Sequence, residues 1–151
     1  MSDNVYRKTK LTGNLGEKLV AKYFRNKGLL VEESIDMFDQ KKDMIVDEKY
    51  TCEVKTQQVW HREDAFSVKS NQVQKCQDVD ILIFVETPSK YNGNVVCLYQ
   101  LPKDKRETRV LCTKDGRTMH LFSRSNADLL EVINDSVVVR QFNRYTISTW
   151  R

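Results

Sequence analysis

Five consecutive apolar residues, Ile81-Leu82-Ile83-Phe84-Val85, set the strongest constraint on how this chain folds. The run is too short to span a membrane and carries Pro88 three residues after its end, so it reads as a strand over Ile81 to Glu86. A strand that is apolar on both faces has to be covered on both faces, which places it inside a layered fold. The rest of the 151 residues must supply those layers, and at that length one domain is expected. Hydrophobic residues are 40% and charged residues 30%, with five Gly and two Pro, which excludes disordered and fibrous classes.

Ahead of the central strand, Leu15, Leu19, Val20, Tyr23 and Phe24 recur at helical spacing. Thr12 is the expected cap of that helix, and Gly28 stands where a left-handed stop is expected after Lys27. A short strand over Leu29 to Glu33 and a polar stretch from Ser34 to Lys42 follow. Asp43 to Asp47 and Tyr50 to Thr56 read as a hairpin turning near Glu48. A second helix is expected over Val68 to Gln77, capped by Ser67. After Pro88 the chain reads as β-rich. Strands are expected at Val95 to Gln100, Arg109 to Thr113 and Arg117 to Phe122, with Asp115-Gly116 as the turn between the last two. Ser125 to Asp128 resembles a capping box opening a short helix through Leu129, Leu130, Val132 and Ile133. Ser136 to Phe142 and Tyr145 to Trp150 close the chain as strands.

The hairpin carries the chemistry. Alternation along Thr51 to Thr56 sends Cys52 and Val54 to one face and Glu53 and Lys55 to the other. A turn centred on Glu48 sets Asp43 opposite Glu53, so that two carboxylates converge with a lysine one pleat away. Hard oxygens at a strand edge are what Mg²⁺ takes, together with waters and substrate phosphate, and Mn²⁺ is able to substitute. Such a metal polarises a phosphoryl oxygen and acidifies water. Lys55 would orient that water and counter charge on the phosphate. The Val54 carbonyl is a further candidate ligand. The same residues also describe a plain surface hairpin with a cross-strand Glu–Lys pair.

Taken together, these residues resemble the PD-(D/E)XK nuclease superfamily, over Thr12 to about Glu86. Glu53-Val54-Lys55-Thr56 is similar to its (D/E)XK strand, and Lys42-Asp43 stands where the superfamily has Pro-Asp. Gly13-Asn14-Leu15-Gly16-Glu17 resembles the GxxGE helix start of archaeal Holliday-junction resolvases. The resemblance implies an α/β fold of mixed-sheet α+β type, a restriction-endonuclease-like core ordered αβββαβ over residues 1–88. It further implies that Glu17 faces the metal site and that Gln72 is an accessory residue. The competing role of Glu17 is to complement the helix dipole from the first turn. His61 and His120 are the only histidines and offer little to metal chemistry; His120 is expected in the core or at an interface.

The substrate is read from residues 89–151. They carry 11 Lys+Arg against 6 Asp+Glu, a charge of +5, whereas residues 1–88 carry −1. A basic, β-rich C-terminal extension suits double-stranded DNA, with Arg117, Arg124, Arg140, Arg144 and Gln141 as candidate contacts. The resemblance extends to bacterial intron-encoded homing endonucleases of this fold, so site-specific duplex cleavage of homing or restriction type is the leading expectation. A Holliday-junction resolvase is the alternative, and a non-catalytic DNA-binding protein is the third. One active site per subunit implies a homo-oligomer, a dimer or tetramer. No membrane-spanning run and no secretory signal in Met1 to Lys10 imply an intracellular, cytoplasmic chain without a membrane partner. Cys52, Cys76, Cys97 and Cys112 are expected as reduced core residues.

Overall fold

A computed structural model describes the backbone of residues 3–33 and 44–145, and the side chains of those from Arg7 onward. The described residues form an α+β arrangement with a mixed sheet and three α-helices. Helix α1 spans Asp3–Asn26 and buries Val20, Ala21 and Phe24. It begins well before Thr12, because nothing from Asp3 to Lys10 breaks a helix and those residues continue it backwards. Thr12 is therefore internal, and its hydroxyl donates to the Lys8 carbonyl at 2.9 Å instead of capping. The expected stop holds: Gly28 has φ +83°, and the Lys27, Gly28 and Leu29 amides close onto the Phe24 and Arg25 carbonyls.

Strand β1 (Val31–Glu33), β2 (Met44–Val46) and β3 (Tyr50–Gln57) form an antiparallel meander. Met44 pairs with Cys52 and Val46 with Tyr50, so the hairpin is centred on Glu48 across a three-residue loop. Asp47 and Glu48 take φ +55° and +65° in that loop. Strand β4 (Ala65–Lys69) comes next, where a loop and the start of a helix were expected. Only then do a 3-10 turn (Ser70–Gln72) and the six-residue helix α2 (Val73–Asp78) follow. Val68 and Lys69 are drawn into β4 by pairing with residues some fifty positions later, a long-range preference that local spacing does not reveal.

Strand β5 (Ile81–Glu86) lies where the apolar run placed it, parallel to β3 and antiparallel to β6 (Val96–Gln100). Strands β7 (Thr108–Cys112) and β8 (Thr118–Ser123) form the hairpin expected at Asp115-Gly116, with Gly116 at φ +86°. They add to β4 as a second, three-stranded sheet. The end of the chain inverts the expectation. Residues Asp128–Ile133 are strand β9, paired to β6, and Ser136–Tyr145 are helix α3. The capping residue is Asp135, whose carboxylate accepts from the Val137 and Val138 amides at 2.9 and 3.2 Å. The three consecutive valines favour a strand, but the cap and the three-residue step that buries Val139 and Phe142 decide for a helix. The expected strand from Tyr145 lies outside the described residues, apart from Tyr145 itself.

The large sheet runs β1-β2-β3-β5-β6-β9. One face packs Cys52, Val54, Ile83, Val85 and Leu98 against α1 and Phe142 of α3. The other packs Leu82, Phe84 and Tyr99 against Phe66 and Phe122 of the second sheet and Cys76 of α2. Phe66 stacks on Phe84 with ring centres 4.3 Å apart. Cys52, Cys76 and Cys97 are buried cysteines outside any disulfide, but Cys112 is exposed on the outer strand β7. His120 is half-buried, its Nε2 3.1 Å from the Ser70 hydroxyl. No described helix is long and apolar enough to cross a membrane.

Candidate active site

Strand alternation does at Glu53 and Lys55 what the sequence requires. Cys52 and Val54 enter the core beneath α1, while Glu53, Lys55 and Gln57 face the second sheet and α2. Glu53 is 1% exposed, so its carboxylate must be compensated. Two ammonium groups do this: Lys75 Nζ lies 2.8 Å from Oε2 and Lys55 Nζ lies 3.7 Å from Oε1. Lys55 also donates to Gln72 Oε1 at 2.8 Å. Lys55 of β3 and Gln72 of the turn before α2 are thus joined by one hydrogen bond.

A buried arginine holds α2 in place. Arg106 is 4% exposed and donates to the carbonyls of Cys76, Gln77, Val79, Asp80 and Leu101. It satisfies the open carbonyl end of the short helix and ties it to the entry of β5 and the exit of β6. Burial pulls its guanidinium below the usual range, and Cys76 and Asp80 oppose that shift.

On the opposite face, α1 is pressed against β3 at Gly16. A Cβ built there would lie 1.8 Å from Thr56 Oγ1, so only glycine admits this approach. Gly13 has nothing within 4 Å and has no such role. Glu17 follows Gly16 on α1 and is half-buried. Val54 is buried and level with Ile83 of β5. Asp43 lies outside the described residues. Its neighbour Met44 is paired with Cys52, the register used to set Asp43 opposite Glu53.

The candidate DNA contacts separate into three settings. Arg117 is exposed beside the β7–β8 turn and pairs with Asp115 at 2.9 Å. Arg140, Gln141 and Arg144 are exposed on α3, not on the β-ribbon expected for them, with Arg140 and Arg144 one turn apart. Arg124 is engaged inside the molecule, with Nε 2.6 Å from Asp64 Oδ1 and one amino group 3.2 Å from the Tyr99 hydroxyl. Those bonds hold its pKa above the ordinary arginine value against the pull of burial.

Lys75 and Arg106 were not anticipated as part of the site. Lys75 stands three residues after Gln72, so one helical turn linked them, but nothing local showed that both turn toward Glu53. Among the described residues, no three His, Cys, Asp or Glu side chains converge as a metal-holding group. Comparison of the chain with family models, with curated proteins and with solved structures finds no match.

Proposed function

We propose that the chain is a metal-dependent DNA endonuclease of restriction-endonuclease-like fold, cutting duplex DNA at specific sites as a symmetric oligomer. The observation that carries this reading is Lys55, fixed between Glu53 and Gln72 on one sheet face. An ordinary surface hairpin has no reason to bury its glutamate to 1% and surround it with two lysines and a glutamine. The donor that would suit Mg²⁺ is the hard carboxylate of Glu53, with the Val54 carbonyl on the same strand. Asp43 and Glu17 are the further candidates to hold it, by resemblance to the PD-(D/E)XK superfamily. When bound, such a dication supplies polarisation of the scissile phosphate and a more acidic water.

The chain's own residues do the rest. Gln72 accepts one proton of the Lys55 ammonium and so fixes its direction, leaving two N–H groups to orient the attacking water and the phosphate oxygens. Lys75 balances the buried carboxylate from 2.8 Å. Arg117, Arg140, Gln141 and Arg144 are exposed to meet phosphates and base edges.

The test is incubation with long duplex DNA and with a four-way junction, each in Mg²⁺ and in EDTA. Site-specific double-strand breaks in Mg²⁺ alone support the proposal. Nicking confined to the junction moves it to a resolvase, and no cleavage of either removes it. Lys55→Ala is expected to lower the cleavage rate by at least ~10²-fold while DNA retention in a gel shift is kept. Unchanged cleavage by that variant takes Lys55 out of the site.

A further inference from the structure

We propose that a second site, centred on Glu86, binds a single nucleobase through its amino edge. The proposal stands apart from the nuclease reading, because Glu86 lies at the far end of the sheet face from Glu53. Gln57 is level with Glu86 across β3 and β5, and is four residues, or roughly 13 Å, along the strand from Glu53. The aromatic layer of Phe66, Phe84 and Phe122 packs on the face between those two levels.

Glu86 is 4% exposed; Asn92 and Tyr99 bond to its carboxyl group, while its Oε1 has no hydrogen-bond partner. A buried acceptor without a donor is costly, so an orphan carboxyl oxygen at the wall of a cleft points to a ligand N–H. The cleft measures about 220 Å³. That is below the ~300–1,000 Å³ of sites for drug-sized ligands, and it admits one small ring system. One wall is aromatic: His61 stacks on Tyr91 with ring centres 4.0 Å apart and planes 14° from parallel. The loop behind Tyr91 is pinned in advance. Asn92 Oδ1 accepts from the Ser89 and Val95 amides, and Asn92 Nδ2 donates to the Thr87 and Val95 carbonyls.

Charge decides what kind of ring fits. Arg124 lines the cleft, held by Asp64 at 2.6 Å and by the Tyr99 hydroxyl at 3.2 Å; its charge pulls the Glu86 carboxyl down, and burial outweighs that pull. A cationic ligand would meet the Arg124 guanidinium, and an anion would meet Asp64 and Glu86. A neutral, flat heterocycle that stacks on an aromatic wall and points an N–H at a carboxyl avoids both penalties. Burial pushes the Glu86 carboxyl above the usual range, in keeping with an uncharged partner. Cytosine, adenine and guanine carry an exocyclic amine for this oxygen. In the same pose uracil and thymine set a carbonyl against Oε1, a contact between two acceptors in place of the amine's hydrogen bond.

The base has two sources, a free nucleoside or a base extruded from DNA. The full chain in EDTA, where metal-dependent cutting is silent, is titrated with cytidine and with uridine, and binding is read by saturation-transfer NMR. A parallel arm uses thymine oligonucleotides with one cytosine, single-stranded or unpaired within a duplex. Cytidine is expected to bind about tenfold more tightly than uridine. Binding only as the free nucleoside assigns that source, and binding only within the strand assigns DNA; either supports the site. Tyr91→Ala, at a 51% exposed position, is expected to weaken cytidine several-fold without loss of fold. Glu86→Gln, which turns either a donor or an acceptor to the ring, is expected to bring the two nucleosides toward parity. No preference for cytidine over uridine in either arm overturns the proposal, as does a preference unchanged in both variants.

Discussion

Two buried glutamates on one sheet face reach opposite solutions to the same problem. Glu53 is 1% exposed and Glu86 4%, and each lies where the large sheet is covered by other layers. At Glu53 the cover is α2 with its preceding turn, which supplies Lys75 and orients Lys55 through Gln72. At Glu86 the cation is Arg124, which Asp64 holds at 2.6 Å, and burial outweighs its pull and favours the uncharged acid. The first site keeps a negative charge by surrounding it with positive ones. The second lowers its charge and keeps an unused oxygen. Burial alone therefore says little about what a carboxyl does; the destination of the neighbouring cation decides.

The sharpest way to break this contrast is to remove the cation from the first site. Lys75→Met removes the ammonium 2.8 Å from the buried Glu53 Oε2 and keeps Lys55, at 3.7 Å from Oε1. A loss of ~3–5 kcal/mol is expected, read as a lower urea midpoint at pH 7. Adding Glu53→Gln to that variant is expected to recover a substantial part, because the uncompensated charge goes with it. If Lys75→Met costs under ~1 kcal/mol, the ion pair is not what holds Glu53, and the contrast fails.

A smaller effect separates the supports of the two sites. Gly16→Ala would drive a methyl into Thr56 on the strand that carries Glu53 and Lys55. It is expected to cost ~1–3 kcal/mol and to weaken DNA cleavage, while nucleoside binding at Glu86 is unchanged. Gly13→Ala, on the same helix with open space around it, is expected to stabilise by up to ~1 kcal/mol. Equal effects of the two substitutions in a thermal melt would mean that helix propensity, and not contact with β3, governs both.

Local pattern carried the parts of this architecture whose cause is local. The apolar run fixed β5 at Ile81–Glu86, the stripe from Leu15 to Phe24 and the stop at Gly28 fixed the end of α1, and the hairpin register about Glu48 needed only counting. The swap of β9 and α3 was not legible, because Leu129 to Ile133 gain strand character from β6 and three valines hide the cap at Asp135. The trio of Glu53, Lys55 and Gln72 was legible as a motif, but Lys75 and the buried Arg106 depend on how α2 docks. The Glu86 cleft joins residues as distant as His61 and Arg124, so no spacing exposes it. Asp43 lies outside the described residues, and its part in the site remains a proposal.

The smallest effect concerns protons and sharpens the comparison from the Glu86 side. A carboxyl raised by burial binds its proton more tightly folded than unfolded. Its contribution to stability is complete below the ordinary glutamate value of about 4.5, and is lost as pH rises through the raised value. Asp80 works in the opposite sense: the Thr51 amide and hydroxyl hold it below its ordinary 3.8, so its contribution is lost only as pH falls under that value. The two windows do not overlap. Subtracting the stability of Glu86→Gln from that of the native chain, point by point above pH 4.5, therefore isolates Glu86. The difference is expected to decline with rising pH and then level off. A flat difference, or one that grows with pH, would mean that Glu86 stays ionised in the folded chain, and that both buried carboxyls belong to the charged kind.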